Sequence, residues 1–89
     1  MNSNKHDYLL TFEWDYKNEI LEIHGNQKGL EKLKTLIDSL LAKTSNDHSH
    51  LMTESWGGDE LSDDKRCLDN EIINHVKIFK WVEKNQQKQ

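Results

Sequence analysis

Leu30, Leu33, Ile37, Leu40 and Leu41 recur at three- and four-residue spacing, with Leu36 beside them. They put one apolar stripe on one side of a helix running from about Gly25 to Thr44. Glu31, Lys32, Lys34, Asp38 and Lys43 fall mostly on the other side. An isolated helix of this length is marginal in water, so the stripe must find an apolar surface. No second helix of comparable quality is present to supply one. The partner must therefore be a sheet built from the flanking segments.

Those segments carry the strand signal. Tyr8, Leu10, Phe12, Trp14 and Tyr16 alternate with Leu9, Thr11, Glu13 and Asp15. Period two with aromatic residues predicts a half-buried strand. Lys17-Asn18 is a polar break of the kind that closes a hairpin, and Glu19 to His24 forms the returning strand. Asn26 is placed to cap the helix, its side chain accepting from an early helical amide. Gly29 in the first turn costs about 1 kcal/mol of helix propensity against alanine. Either the backbone packs closely there or the helix begins at that glycine. After the helix, His48 to Thr53 reads as a third strand. Ile72 to Val82, rich in β-branched and aromatic residues, reads as a fourth. The expected fold is α+β, with the order β-β-α-β-β: a four-stranded, mostly antiparallel sheet with one helix on one face. One domain over residues 1–89 is expected, ordered from about 7 to 82, with polar ends at 1–6 and 83–89.

Between the last two strands, residues 54–70 show no clear periodicity. An irregular stretch this long in a small domain marks a functional or mobile loop. From Glu54 to Glu71 there are seven acidic and two basic residues, whereas the whole chain has a net charge of −4. The negative charge is concentrated here. Such a patch draws a basic partner by long-range steering. The competing reading is a solvated loop whose charge aids solubility. Trp56, followed by Gly57-Gly58, is a candidate interface anchor or a cover for the open sheet face. Trp14 and Trp81 lie in strands and read as core or sheet-face packing.

Five histidines invite a metal hypothesis. His48 and His50 are two apart on a strand and share a face, His24 ends the neighbouring strand, and His75 lies in the last one. Zinc needs three or four converging N, S or O ligands. Asp47 or Cys67 would complete such a set. No Cys-x-x-Cys pair accompanies the histidines, so no metal or other cofactor is assigned. The bland alternative is that they sit on the open sheet face or make loop hydrogen bonds. Asp47, His48 and Asp59 form the one acid–base set available to a hydrolase. No serine elbow, phosphate loop or metal-protease helix motif supports it, and the chain is read as a non-enzyme. Cys67 is a lone thiol beside Lys65 and Arg66. It excludes an intrachain disulfide and suits a reducing compartment. The acidic balance argues against general nucleic-acid binding. No apolar run is long enough to span a bilayer, and the first residues lack the apolar core of a signal peptide, so the cytoplasm is the expected location.

Several weak motifs add up in order and spacing. They are Leu21-Glu22-Ile23-His24-Gly25-Asn26, Gly29-Leu30 with Leu33, Asp47-His48, His50-Leu51, Trp56-Gly57-Gly58, Glu60-Leu61 and Val76-Lys77-Ile78. On these residues the chain resembles the Immunity protein 32 family of bacterial polymorphic toxin systems, over roughly residues 8–81. The resemblance implies a small cytoplasmic antidote that binds and neutralises a cognate toxin. It carries no catalytic residues. The expected contact surface is Trp56, Asp59, Glu60, Asp63 and Asp64 on the loop, with His48 and His50 on the open sheet face. The alternative is a small regulatory homodimer, or a metal-binding protein using His24, His48, His50 and His75.

Overall fold

The structure is a computed structural model that describes residues 7–83. The polar ends expected at 1–6 and 83–89 fall, but for Glu83, outside these residues. The elements are β1 (Leu10–Asp15), β2 (Ile20–Gly25), α1 (Gln27–Leu41), β3 (Asp47–Met52), a short 3-10 turn (Glu54–Trp56), β4 (Glu71–Ile72) and β5 (His75–Lys80). The α+β class is as expected. The strands number five rather than four, in a three-stranded sheet of order β2-β1-β4 and a two-stranded sheet of β3 and β5, all neighbours antiparallel.

The difference lies in the final strand. Its first residues pair with β1, and the Ile73 amide donates to the Phe12 carbonyl at 2.8 Å. The chain then changes partner at Asn74, whose carbonyl accepts from the Thr53 amide at 3.0 Å and whose side chain accepts from the Thr53 hydroxyl at 2.8 Å. From His75 onward it pairs with β3. One apolar run thus serves two sheets. The segment Leu61-Ser62 fills the space between them. The Leu61 amide donates to the Met52 carbonyl, while Ser62 exchanges bonds with the Leu10 amide and carbonyl.

The core is Leu10, Phe12, Leu51 and Leu61, with Leu33, Leu36, Ile73, Val76 and Ile78 packed against it. The helix meets it through Leu33 and Leu36, and Leu40 on the same helix is also buried. Leu30, Ile37 and Leu41 are on the flank of the stripe and stay exposed, Ile37 at 40%. The apolar stripe is therefore wider than the sheet surface it covers.

The helix start explains Gly29. Asn26 caps as expected: its side-chain oxygen accepts from the Gly29 amide at 2.8 Å, and also from the Leu9 amide at 3.0 Å. This double acceptance draws the first turn onto the chain entering β1. A Cβ on Gly29 would lie 1.7 Å from the Leu9 carbonyl oxygen. Of the two readings of that glycine, close backbone packing holds. At the other end, Lys80 of β5 donates to the carbonyls of Leu41 and Lys43, placing a cation at the helix C-terminus.

In an ordinary helix, glycine to alanine stabilises by up to about 1 kcal/mol. Gly29→Ala is expected to do the reverse and lower stability by about 1–3 kcal/mol, read from the urea midpoint, because backbone must move to admit the methyl.

Candidate partner-binding surface

The irregular stretch after β3 is not loose. Tyr8 donates its hydroxyl to the carbonyls of Asp59 and Glu60, both at 3.0 Å. The Glu60 carboxylate accepts from the Met52 amide at 3.1 Å. Asp63 accepts from the amide and hydroxyl of Ser55. Gly57 adopts a left-handed conformation, with φ 91°, that closes the 3-10 turn and that glycine adopts without strain. Trp56, at the end of that turn, is 59% exposed. Of the five loop residues expected to meet a partner, Glu60 and Asp63 hold the loop together, while Trp56, Asp59 and Asp64 present their side chains outward.

The two-stranded sheet has one face on the core, carrying Leu51, Val76 and Ile78. The opposite face is exposed. Register sets His48 opposite Phe79, His50 opposite Lys77 and Met52 opposite His75. The rings stack in a row: Trp81 on Phe79 at 5.8 Å, Phe79 on His48 at 5.1 Å, His48 against His50 at 4.8 Å, and His50 on His75 at 5.1 Å. Phe79 is 47% exposed and Trp81 69%. Trp81 is therefore sheet-face packing, not core, whereas Trp14 is half-buried. An open groove runs between His48, Phe79 and Trp81.

Three of the four candidate metal-binding histidines meet in this row. His48 Nε2 lies 3.1 Å from His50 Nε2, and His50 Nδ1 lies 2.8 Å from His75 Nε2. His50 thus turns a different nitrogen to each neighbour, so the three rings are strung in line and do not aim at one point. A neutral imidazole donates through one nitrogen and accepts through the other, which satisfies both contacts. Burial among its neighbours, followed by His48, His75 and Lys77, pushes the His50 pKa below its ordinary value of 6.5. The charge of Glu60, on the loop, acts in the opposite sense.

His24 is elsewhere, on the opposite face of the three-stranded sheet from the core. The polar side of β1 is not solvent-facing: Thr11 and Glu13 are both fully buried under residues 62–70. Glu13 Oε2 accepts from the Arg66 amide and the Thr11 hydroxyl, both at 2.7 Å. Its Oε1 accepts from the Cys67 amide at 3.2 Å and the Asn70 side chain at 3.1 Å. Burial pushes this carboxyl up, but the Arg66 amide, the Thr11 hydroxyl, Asn70 and the Cys67 amide together outweigh it and hold the pKa down to about 2. Glu22 stands opposite Glu13 in register, and its Oε1 lies 2.8 Å from His24 Nε2 and 3.7 Å from Cys67 Sγ. Cys67 is exposed, and burial of its sulfur followed by the charges of Glu22 and Glu13 raises its pKa. The neighbouring Lys65 and Arg66 do not lower it. Alternation places Glu13 on a polar face, but apart from the Thr11 hydroxyl its donors come from more than fifty residues away and leave no local signal.

The Immunity protein 32 family model matches residues 20–76. The chain belongs to the Immunity protein 32 family. No curated protein and no solved structure matches it. The matched span starts at β2 and ends just inside β5, so it takes in the histidine row and the Trp56 loop but neither Glu13 nor Phe79 and Trp81. No helix among the described residues of this Immunity protein 32 member is long and apolar enough to cross a membrane.

Two measurements probe this geometry. His75→Ala removes a burying and like-charged neighbour, so the His50 pKa should rise toward 6.5 in an NMR titration of the ring protons. Glu13 tests the buried side. Its folded pKa of about 2 lies below its ordinary value of 4.5, so its stabilising effect is complete above pH 4.5 and is lost as pH falls through about 2. Glu13→Gln should cost roughly 2–4 kcal/mol at neutral pH in urea melts, and should flatten the fall in stability between pH 4.5 and 2.

Proposed function

We propose that this chain is a non-enzymatic antidote, acting in the cytoplasm, that neutralises a cognate toxin by stoichiometric contact. Membership of an immunity family supplies the role, and the exposed aromatic row on β3 and β5 carries the choice of surface. Stacked rings with Phe79 nearly half and Trp81 more than half exposed are unusual on a small polar protein, and aromatic anchors dominate the energetics of protein interfaces. The Trp56 loop adjoins the row at the Met52 end. We assign Trp56, Asp59, Asp64, His48 and His50 to the contact, with Phe79 and Trp81 as added anchors. Glu60 and Asp63 contribute charge from within the loop. The acidic character of the loop suits a basic toxin surface, as a cleft for nucleic acid would be.

A second copy of the chain is the competing partner. The outer edge of β2 is unpaired among the described residues, and Ile20, Leu21 and Ile23 are exposed along it. Solution mass measurement decides whether that edge pairs.

Co-expression with the cognate toxin domain should rescue growth and yield a co-purifying complex. Failure of both would overturn the assignment. Phe79→Ala with Trp81→Ala should weaken the complex by about 100-fold or more, with the thermal melt little changed. Asp59→Lys with Asp64→Lys should slow association, and more so at low salt. If the aromatic pair can be removed with no loss of affinity, the contact lies on another face.

A further inference from the structure

The face of the three-stranded sheet away from the core gathers a donor set that the antidote role does not use. Glu13, Glu22, His24 and Cys67 each bring one ligand-type atom, and these atoms all lie within 4.8 Å of one another. We propose that Glu22, His24 and Cys67 form a binding site for a zinc-like divalent ion, with Glu13 as the residue that positions it.

Three features carry this. The first is donor chemistry. A thiolate, an imidazole and a carboxylate are the ligands of borderline-soft zinc, and do not suit magnesium or calcium. The second is spacing. A tetrahedral zinc with bonds of about 2.0–2.3 Å holds its ligand atoms roughly 3.3–3.8 Å apart. Here His24 Nε2 to Glu22 Oε1 is 2.8 Å, Cys67 Sγ to Glu22 Oε1 is 3.7 Å, and the ligand atoms of all three residues lie within 4.8 Å of one another. Movements of about 1 Å, within reach of side-chain torsions, would open the centre. The third is preorganisation. Glu22 and His24 are two apart on β2 and so share a face. Cys67 is brought to that face by its own amide, which donates to Glu13. Asn70 donates to Glu22 Oε1 at 3.0 Å and to Glu13 Oε1 at 3.1 Å, fixing the carboxylates from behind.

Glu13 is not counted as a ligand. Both its oxygens already take two donors each. Its part is to hold the Cys67 backbone and to supply a buried negative charge behind the ion. Loading balances simply. The Cys67 thiol gives its proton to solvent and its sulfur bonds the metal. The imidazole binds through Nε2, and its ring proton resides on Nδ1. The fourth position faces solvent beside exposed Cys67 and is filled by water. No redox partner is required.

The test uses the whole chain and two metals. Zinc competition against a chromophoric chelator should give one equivalent bound, and cobalt in its place should give thiolate-to-cobalt charge-transfer absorption. Cys67→Ser should abolish that absorption and weaken zinc about tenfold or more. His24→Gln should weaken zinc similarly, with circular dichroism unchanged for both. His48→Ala, His50→Ala and His75→Ala combined should leave stoichiometry and absorption intact. Bound zinc should also slow alkylation of Cys67. The proposal fails if no zinc is taken up, if Cys67→Ser binds as well as the parent, or if the triple variant loses the metal.

Discussion

A buried carboxylate with four donors holds this protein together. Glu13 is cut off from water in the middle of β1, and an ionised group there is costly unless its lone pairs are filled. Two of the donors are the backbone amides of Arg66 and Cys67, and the other two are the side chains of Thr11 and Asn70. Backbone amides cannot be supplied by a chain that wanders. Ionisation of Glu13 and the path of residues 62–70 therefore stabilise each other. The rest of the loop is fixed from the same end: Ser62 is already bonded to Leu10, and Lys65 donates to the Asn70 carbonyl at 2.7 Å. A stretch without regular secondary structure becomes the second layer of the sheet.

That arrangement leaves the β3–β5 pair as the uncommitted surface. The three-stranded sheet has the helix and core on one side and the loop on the other. The two-stranded sheet has the core and the helix behind it and no layer over its outer face among the described residues. Apart from Met52 and Lys77, its outward side chains are aromatic or imidazole, and these gain contact by stacking on one another. The row is thus held in shape before any partner arrives, which lowers the conformational cost of binding.

The sequence made some of this legible. Period-two alternation located β1 and β2, and the leucine spacing with Asn26 located the helix and its first turn, because each signal lies within a few residues. The burial of Glu13 was hidden because a polar residue on an alternating strand reads as solvent-facing unless its cover is known, and the cover lies at 62–70. The split of the last strand was hidden for a related reason. Nothing at Ile73-Asn74 breaks the pattern locally; the change of sheet is set by Thr53, twenty-one residues earlier in the chain. The histidines divided along the same line. His48, His50 and His75 join through the β3–β5 register, whereas His24 follows β2 to the opposite side.

The acidic segment plays two parts that are separable in range. Glu60 and Asp63 are bound to neutral donors, an amide in one case and an amide and a hydroxyl in the other. A neutral donor satisfies lone pairs but cancels no charge. Both carboxylates therefore still add to the long-range field that steers a basic partner, although each already accepts hydrogen bonds that hold the loop. Asp59 and Asp64 add to the same field and can also meet a cation directly. Charge count sets the rate of encounter, and the free side chains set what is gained at contact. The loop can be rigid without losing its attraction, because the bonds that make it rigid leave its net charge intact.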